Sequence, residues 1–580
     1  MAKKTKSQKS PKKPKDPIKK ENFRRRLVAL FIGLIGVFLL LFVIFYTVSR
    51  VFRPIDFAEM LPKDSTIALM QINVNSGHEQ VRRFYNSLNK YEAFHPNSIE
   101  NILNETFDID YDIEVKPWLN RQVGFAIIKN PQSEGEYDML YFVETRDIAA
   151  TKEFMKSRGL ESQEDYLLDE EYKGEKIYHH ALSQSFNFAF LNNYLVLAEN
   201  LDAVKQVINS MKSSELKLVE DPDYQKVSQN LPITTLTFAY LDVSKLVQYL
   251  KQNEEFMSEK GRELLAFEPF LKIYNAYGFT GMIENNNLAM QSFTAVDKAY
   301  LDGQDLLNFD SKFKAEFLTM LPSDVKAYAG GLNLTKQFHR YSEIFGVGGE
   351  VSYLIFEGAL RALKSEYFGD EIDLEEDLFP LLQKEYLLAV TGDEQDQATT
   401  IILGLKDPVR DKDKINNIAE SFIRKSALLA PKVVEVELED GTKAEEIVTS
   451  EVTIEKTEEE YHGYSINSLD VGSPGWGVYY ILLDDKLVIT TKLETMKQII
   501  DLFIDSSGNF RSTDVFRDNV SPVMRTSDEI LFFDVAYLLK NFVGELPEGF
   551  EPYSEPFSHI SIGKNYFKDG ISTINFIKIQ

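Results

Sequence analysis

The run from Leu27 to Val48, LVALFIGLIGVFLLLFVIFYTV, holds 22 residues without a charge. As a helix it would be about 33 Å long, enough to cross the hydrocarbon core of a bilayer. Beyond it the pattern breaks into short segments. TIALMQINV (66 to 74) and VKAYAGGLNL (325 to 334) are β-like runs, while EQVRRFYNSLNKY (79 to 91) and LTKQFHRYSEIF (334 to 345) have the spacing of amphipathic helices. GFAII (124 to 128) is followed closely by DMLYFVE (138 to 144), and NFAFL (187 to 191) by YLVLAE (194 to 199). Gaps this short suit antiparallel neighbours, because a parallel crossover needs a dozen residues or more. Helical stretches such as NLDAVKQVINSM (200 to 211) follow strand runs and are expected to cover one face. The expected class is α+β, antiparallel sheets with helices packed to a side.

The same order of segments occurs twice. MLPKD at 60 to 64 matches MLPSD at 320 to 324, and Pro117 matches Pro380. EEYKGEKI matches EEYHGYSI, placing Gly174 opposite Gly463. YLVLAENLDAVKQVI (194 to 208) matches KLVITTKLETMKQII (486 to 500), and Asp242-Val243 matches Asp534-Val535. The offset grows from 260 to 292 along the chain, with its largest jump between the prolines and the glycines. An insertion in the second copy is therefore expected, at Lys432 to Glu459. It alternates Val and Ile with charge around Asp440-Gly441 and reads as an exposed acidic β-arm. The expected organisation is two tandem repeats, residues 56–300 and 316–580, behind one transmembrane helix.

Charge sharpens the topology. The first 26 residues hold 12 of the 64 Lys and Arg and 2 of the 90 Asp and Glu, a net charge of +10 that leaves −36 on the rest. Residues 1–26 are thus expected to be a basic cytoplasmic tail lying near anionic lipid, each cation there contributing about 1 kcal/mol. Residues 27–48 are expected to be an uncleaved signal anchor, since the run exceeds a signal-peptide core and no A-x-A pattern follows it. The bulk is then extracytoplasmic. An acidic body argues against nucleic acid as a partner. The sequence has no Cys, which rules out disulfides and cysteine–zinc sites and suits a bacterial envelope.

Candidate chemistry is sparse. There is no HExxH, nucleophile elbow or Walker loop. GVGGE (346 to 350) reads as a turn between helices, and VGSPGWG (471 to 477) as a turn before a strand. Asp108, Asp110, Asp112 and Glu114 alternate in DIDYDIE, but Ile113 and Leu119 stand where a calcium loop needs Gly and Glu. Carboxylates there suit a helix start. His179 and His180 are adjacent, so on a strand they point to opposite faces and share no metal. Their counterparts in the second copy are Ser468 and Leu469. No catalytic, cofactor-binding or metal-ligating residue is assigned, and no cofactor is expected.

The landmarks resemble a family of bacterial single-pass envelope proteins known only as a domain of unknown function. They are Leu61, Pro62 and Asp64; Pro117 and Trp118; Tyr172, Gly174 and Ile177; and Tyr194 to Leu197. The second copy departs by having Leu381 opposite Trp118, and by its arm. The resemblance implies an extracytoplasmic domain and supplies no activity. The expectation is a membrane-anchored, non-enzymatic binding or scaffold module in a bacterial plasma membrane, with an envelope protein or polymer as partner. Two alternatives stand beside it: an envelope hydrolase with dispersed catalytic carboxylates, and an accessory subunit of a membrane complex, for which Ala29 and Gly33 offer one small-residue packing pair.

Overall fold

A computed structural model describes residues 56–91, 94, 104, 108–130, 132, 136–157, 167–180, 187–253, 271–297, 313–347, 350–369, 371–393, 396–429, 432–437, 443–448, 454–470, 477–543, 551–567 and 569–580. The expected tail and span lie outside them, and among the described residues no helix is long and apolar enough to cross a membrane. The chain divides into Met1–Phe57 and Ala58–Gln580, and the second unit is described below.

Ten strands come from residues 66–296. They are β1 (Thr66–Asn73), β2 (Leu119–Lys129), β3 (Tyr137–Thr145), β4 (Leu167–Tyr172), β5 (Glu175–His180), β6 (Asn187–Leu191), β7 (Tyr194–Ala198), β8 (Thr237–Asp242), β9 (Tyr274–Glu284) and β10 (Asn287–Val296). They pair antiparallel in the order β4-β5-β6-β7-β3-β2-β1-β8-β9-β10. The second stretch supplies β11 (Val325–Leu332), β12 (Glu385–Thr391), β13 (Ala398–Gly404), β14 (Lys432–Glu437), β15 (Lys443–Val448), β16 (Glu455–Tyr461), β17 (Tyr464–Asp470), β18 (Gly477–Leu483), β19 (Lys486–Thr490), β20 (Glu529–Asp534), β21 (Phe557–Phe567) and β22 (Gly570–Ile579). Setting β14 and β15 aside, these pair as β16-β17-β18-β19-β13-β12-β11-β20-β21-β22.

The two orders are the same, position for position. Details agree as well. The pairings β1–β2 and β11–β12 each have a bulge at their start, between Thr66 and Ala68 and between Val325 and Ala327. Asp242 and Asp534 each end a strand and cap the following helix, accepting from the backbone N–H of Lys245 and Tyr537. Lys173-Gly174 and His462-Gly463 both join their strands with φ positive at both central residues (51° and 83°, 51° and 80°). That backbone is a type I′ hairpin turn, and glycine at the second place is its natural residue.

The halves meet through β10 and β22, which run antiparallel from Asn287↔Lys578 to Ala295↔Gly570 with Gln291↔Ile574 at the centre. The result is a single 20-stranded antiparallel sheet. Open sheets beyond roughly ten strands are uncommon. Here two ten-stranded sheets are joined edge to edge, which removes one exposed edge from each. The outer edges, β4 and β16, are rich in carboxylates (Asp169, Glu170, Glu171; Glu455, Glu458, Glu459, Glu460), which discourages further strand addition.

The helices used below are α1 (Glu79–Leu88), α2 (Ile148–Ser157), α3 (Leu201–Lys212), α4 (Pro222–Gln229), α5 (Val243–Gln252), α6 (Leu334–Val347), α7 (Glu350–Tyr367), α8 (Lys412–Leu429) and α9 (Leu493–Ile504). With one large antiparallel sheet they make an α+β fold. One sheet face is covered throughout. Met496, Ile499 and Ile500 of α9 pack on Tyr328, Leu387, Ile402, Val488 and Phe532, and Val523 packs on Ala289 and Phe576. We call this the inner face. The opposite face is covered at its two ends, by α2 over Phe188 and Leu195 and by α8 over Leu403, Tyr480 and Leu487.

The stretch expected as one arm from Lys432 to Glu459 divides. β14 and β15 form a separate two-stranded sheet, Glu437 opposite Lys443. Glu455 to Glu459 belong to β16 and pair with β17 in the main sheet. Charge alternation marks both an isolated hairpin and a sheet edge, so the pattern alone ran them together.

Candidate functional site

Between the regions covered by α2 and α8, the second face of the sheet stays partly open. Register identifies its side chains. Starting on β3, Tyr141 faces Phe125, Phe125 faces Met70, Met70 faces Ala239, Ala239 faces Phe279, and Phe279 faces Ser292. Starting on β13, Ile401 leads through Leu388, Ala329, Leu531 and Ile562 to Asn575. The two rows run toward the junction of the halves from opposite sides. Before Ser292 and Asn575, the only polar side-chain atom in either row is the Tyr141 hydroxyl.

These residues are not fully buried. Tyr141 is 47 %, Leu388 44 % and Leu531 39 % exposed, and Ile72 and Tyr277 on the same face are each 37 % exposed. Scattered exposed apolar residues are ordinary; here five of them lie on one face of one sheet.

Three helices border the surface. Phe84 and Leu88 of α1 pack on Ile283, Leu288 and Ile579, so this helix bridges the junction. Gln80 accepts from the Ile283 N–H at 2.7 Å, and the Tyr91 hydroxyl donates to the carbonyl of Gln580 at 3.0 Å. On α5, Tyr249 sits edge-on to Tyr137 at 5.2 Å, and Gln248 accepts from Lys129 at 2.5 Å. On α6, the buried Arg340 guanidinium lies 4.0 Å over the Tyr566 ring, and Gln337 donates to the Tyr386 hydroxyl at 3.2 Å. The Tyr566 hydroxyl donates to Glu529 at 2.9 Å. Burial pushes the Glu529 and Asp528 carboxyls above their ordinary range and raises the Tyr386 and Tyr566 phenols.

A separate polar cleft of about 260 Å³ lies beside α8, lined among others by Glu371, Asp377, Glu420, Lys414 and Arg424. Asp377 lies 3.6 Å from Lys414, and Glu420 pairs with Lys456. These pairs tie α8 to its neighbours.

The motifs weighed in the sequence have structural roles. Asp110 accepts from the Ile113 N–H at 3.1 Å while its own N–H donates to Glu114 at 3.0 Å. Asp373 does the same with Glu375, Glu376 and Asp377 in the second half. Both acidic runs are reciprocal caps. His179 stands opposite Leu168 and Asn187, and His180 opposite Leu167. His462 occupies a turn, and His559 stacks on Phe532, where burial lowers its pKa. Among the described residues no group of three or more His, Cys, Asp or Glu is placed to hold a metal ion. Of GVGGE, Gly346 and Val347 end α6 and Glu350 begins α7, while residues 348–349 lie outside the described residues, and β18 begins at Gly477, the last residue of VGSPGWG.

The open face was missed in the sequence, although a signal was there. Val123, Phe125 and Ile127 alternate with Ala126 and Ile128, so β2 is apolar on both sides. Antiparallel strands with one solvated face alternate apolar with polar instead.

A family model described as "Protein of unknown function (DUF3352)" matches residues 27–427. No curated protein matches. Among solved structures, crystal form I of TP0453 is 8 % identical, covering 42 % of this chain and 79 % of that one, with a TM-score of 0.21. Form IV is 9 % identical, covering 46 % and 90 %, with a TM-score of 0.22. Likeness at this level carries no argument.

Proposed function

The chain belongs to this family of proteins of unknown function, and we propose that it is a non-enzymatic, membrane-anchored binding scaffold made of two tandem copies of one α+β module. In this reading Leu27–Val48 spans a bacterial plasma membrane, residues 1–26 stay in the cytoplasm and the modules lie outside. The matching strand orders and the centred β10–β22 pairing support duplication: a self-complementary edge is how two copies of one module would join. The observation that carries binding is the pair of apolar rows on the open face, running toward the junction from its two sides. The rival hydrolase reading has its best seat in the cleft beside α8, where two of the three carboxylates already serve as struts.

The test uses the full chain in lipid nanodiscs with Nile red, an uncharged apolar dye, and empty discs subtracted. Replacing Leu388 and Leu531 together by Glu is expected to remove about half of the protein-dependent dye signal, the share of one row, while leaving the thermal transition in place. Equal dye binding by the parent and the double variant would refute the open face as the binding surface.

A further inference from the structure

The open face also says what kind of ligand it suits, an inference that rests on the reading of that face as a binding surface. Hydrogen bonding decides first. Leu388, Ala329, Leu531 and Ile562 offer no polar side-chain atom, nor do Phe125, Met70, Ala239 and Phe279. An extended peptide or a sugar chain laid there would bury its own N–H, C=O or hydroxyl groups without partners, at about 1–3 kcal/mol for each group. A hydrocarbon chain has none to lose.

Size is compatible. Each row crosses six strands, which at 4.7–4.9 Å per strand is about 24 Å. A lipid chain fills about 15 Å of depth, half the thickness of a bilayer core. One row is therefore long enough for one extended chain.

Charge decides the head group. The chain beyond residue 26 carries a net −36, yet α1, α5 and α6 bordering the face hold six cations and two carboxylates, Glu79 and Glu343. Arg83 pairs with Glu79, Lys245 with Asp242, and the buried Arg340 lies over Tyr566 beside Asp528 and Glu529. The remaining cations of the border are Arg82, Lys251 and Lys336. Lys129 and Lys564 stand on the face itself, with Glu529 opposite Lys564. A basic border around an apolar floor, within an acidic body, complements an anionic head on an apolar tail.

We infer that the open face binds single-chain anionic amphiphiles of the fatty-acid class, one tail lying along each row and the carboxylate reaching the basic border. The surrounding acidic body disfavours broad docking onto an anionic bilayer, so the ligand is held as individual molecules.

The experiment is photolabelling of the full chain in nanodiscs with a diazirine-bearing C16 fatty acid, read by peptide mass spectrometry. The apolar run Leu27–Val48 serves as the internal control for label partitioned into lipid. Label is expected on the peptides containing Phe125, Leu388 and Leu531. Unlabelled palmitate should compete it away at concentrations at least tenfold below hexadecanol, and the Leu388→Glu, Leu531→Glu double variant should lose the label of the second row about tenfold while keeping that at Phe125. Label confined to residues 27–48 would overturn the inference. Equal competition by hexadecanol would overturn the anionic head. If Nile red still reports on the open face while the fatty acid fails, only the ligand class is wrong. If both fail, the binding surface itself is wrong.

Discussion

The two halves share a strand order and a register but differ in how they balance charge. In the first half, Glu144 is completely buried, and one of its carboxylate oxygens accepts from Asn120 at 3.0 Å, Arg121 at 2.6 Å and Asn193 at 2.8 Å. The corresponding strand position in the second half is Gly404. There the cation at the place of Arg121 is Lys384, and it pairs at 3.1 Å with Asp485, a half-exposed turn residue. A second exchange lies close by. Gln122 accepts from the Tyr194 hydroxyl at 3.1 Å in one half, and Glu385 and Lys486 stand in their places in the other. Backbone register is held in common, whereas the carboxylate moves between strand and turn. Pairing and turn geometry therefore define this architecture, and the charge arrangement is free to vary around them.

The largest expected effect tests that contrast. Glu144→Ala leaves a partly buried Arg121 and two amides without their acceptor and is expected to cost about 3–5 kcal/mol in urea unfolding. Asp485→Ala removes an exposed partner and is expected to cost under about 1 kcal/mol. Similar losses from both would show that burial does not separate the two pairs.

Glu385 comes next. Burial raises its pKa from 4.5 to about 7, with Glu316 adding to the rise and Lys486 opposing it. The folded state then holds this proton more tightly than the unfolded chain. The resulting stability is present below about pH 4.5 and is lost as pH rises toward 7. Glu385→Gln should therefore be near neutral at pH 4.5 and stabilise by up to about 3 kcal/mol at pH 8, measured as the midpoint of thermal unfolding. A gain that did not change with pH would contradict the assignment.

The turns should behave alike instead of differently. Ala at Gly174 or Gly463 meets no neighbour within 4 Å, so only the positive φ resists it. Each substitution is expected to cost about 1 kcal/mol, equally in both halves. Unequal costs would mean that the shared turn carries different strain in its two settings. The smallest effect concerns His179 and His180. Changing both to Gln should shift stability by under about 0.5 kcal/mol and leave metal content unchanged, checked by elemental analysis.

Much of this architecture was readable in the sequence because its causes are local. Close strand pairs, the Lys173-Gly174 and His462-Gly463 turns, and the caps at Asp110 and Asp373 each arise from a few neighbouring residues. The β10–β22 junction was not readable. It joins Gln291 to Ile574 across most of the second half, and neither strand states its partner. The open face escaped for a related reason. Phe125 and Ala126 are both apolar, and only the placement of distant helices decides which side is covered. The boundary of the arm failed because Glu455 to Glu459 look alike on a free hairpin and on a sheet edge.

The most direct test of the open face as the binding surface places a Trp reporter at Leu388, on that face, and in a second chain at Ile233, which is 87 % exposed on a loop. Quenching by a brominated C16 fatty acid is then measured against the parent in nanodiscs. At least twofold stronger quenching is expected at 388 than at 233. Equal quenching at both positions, or none at 388, would rule out the open face as the binding surface.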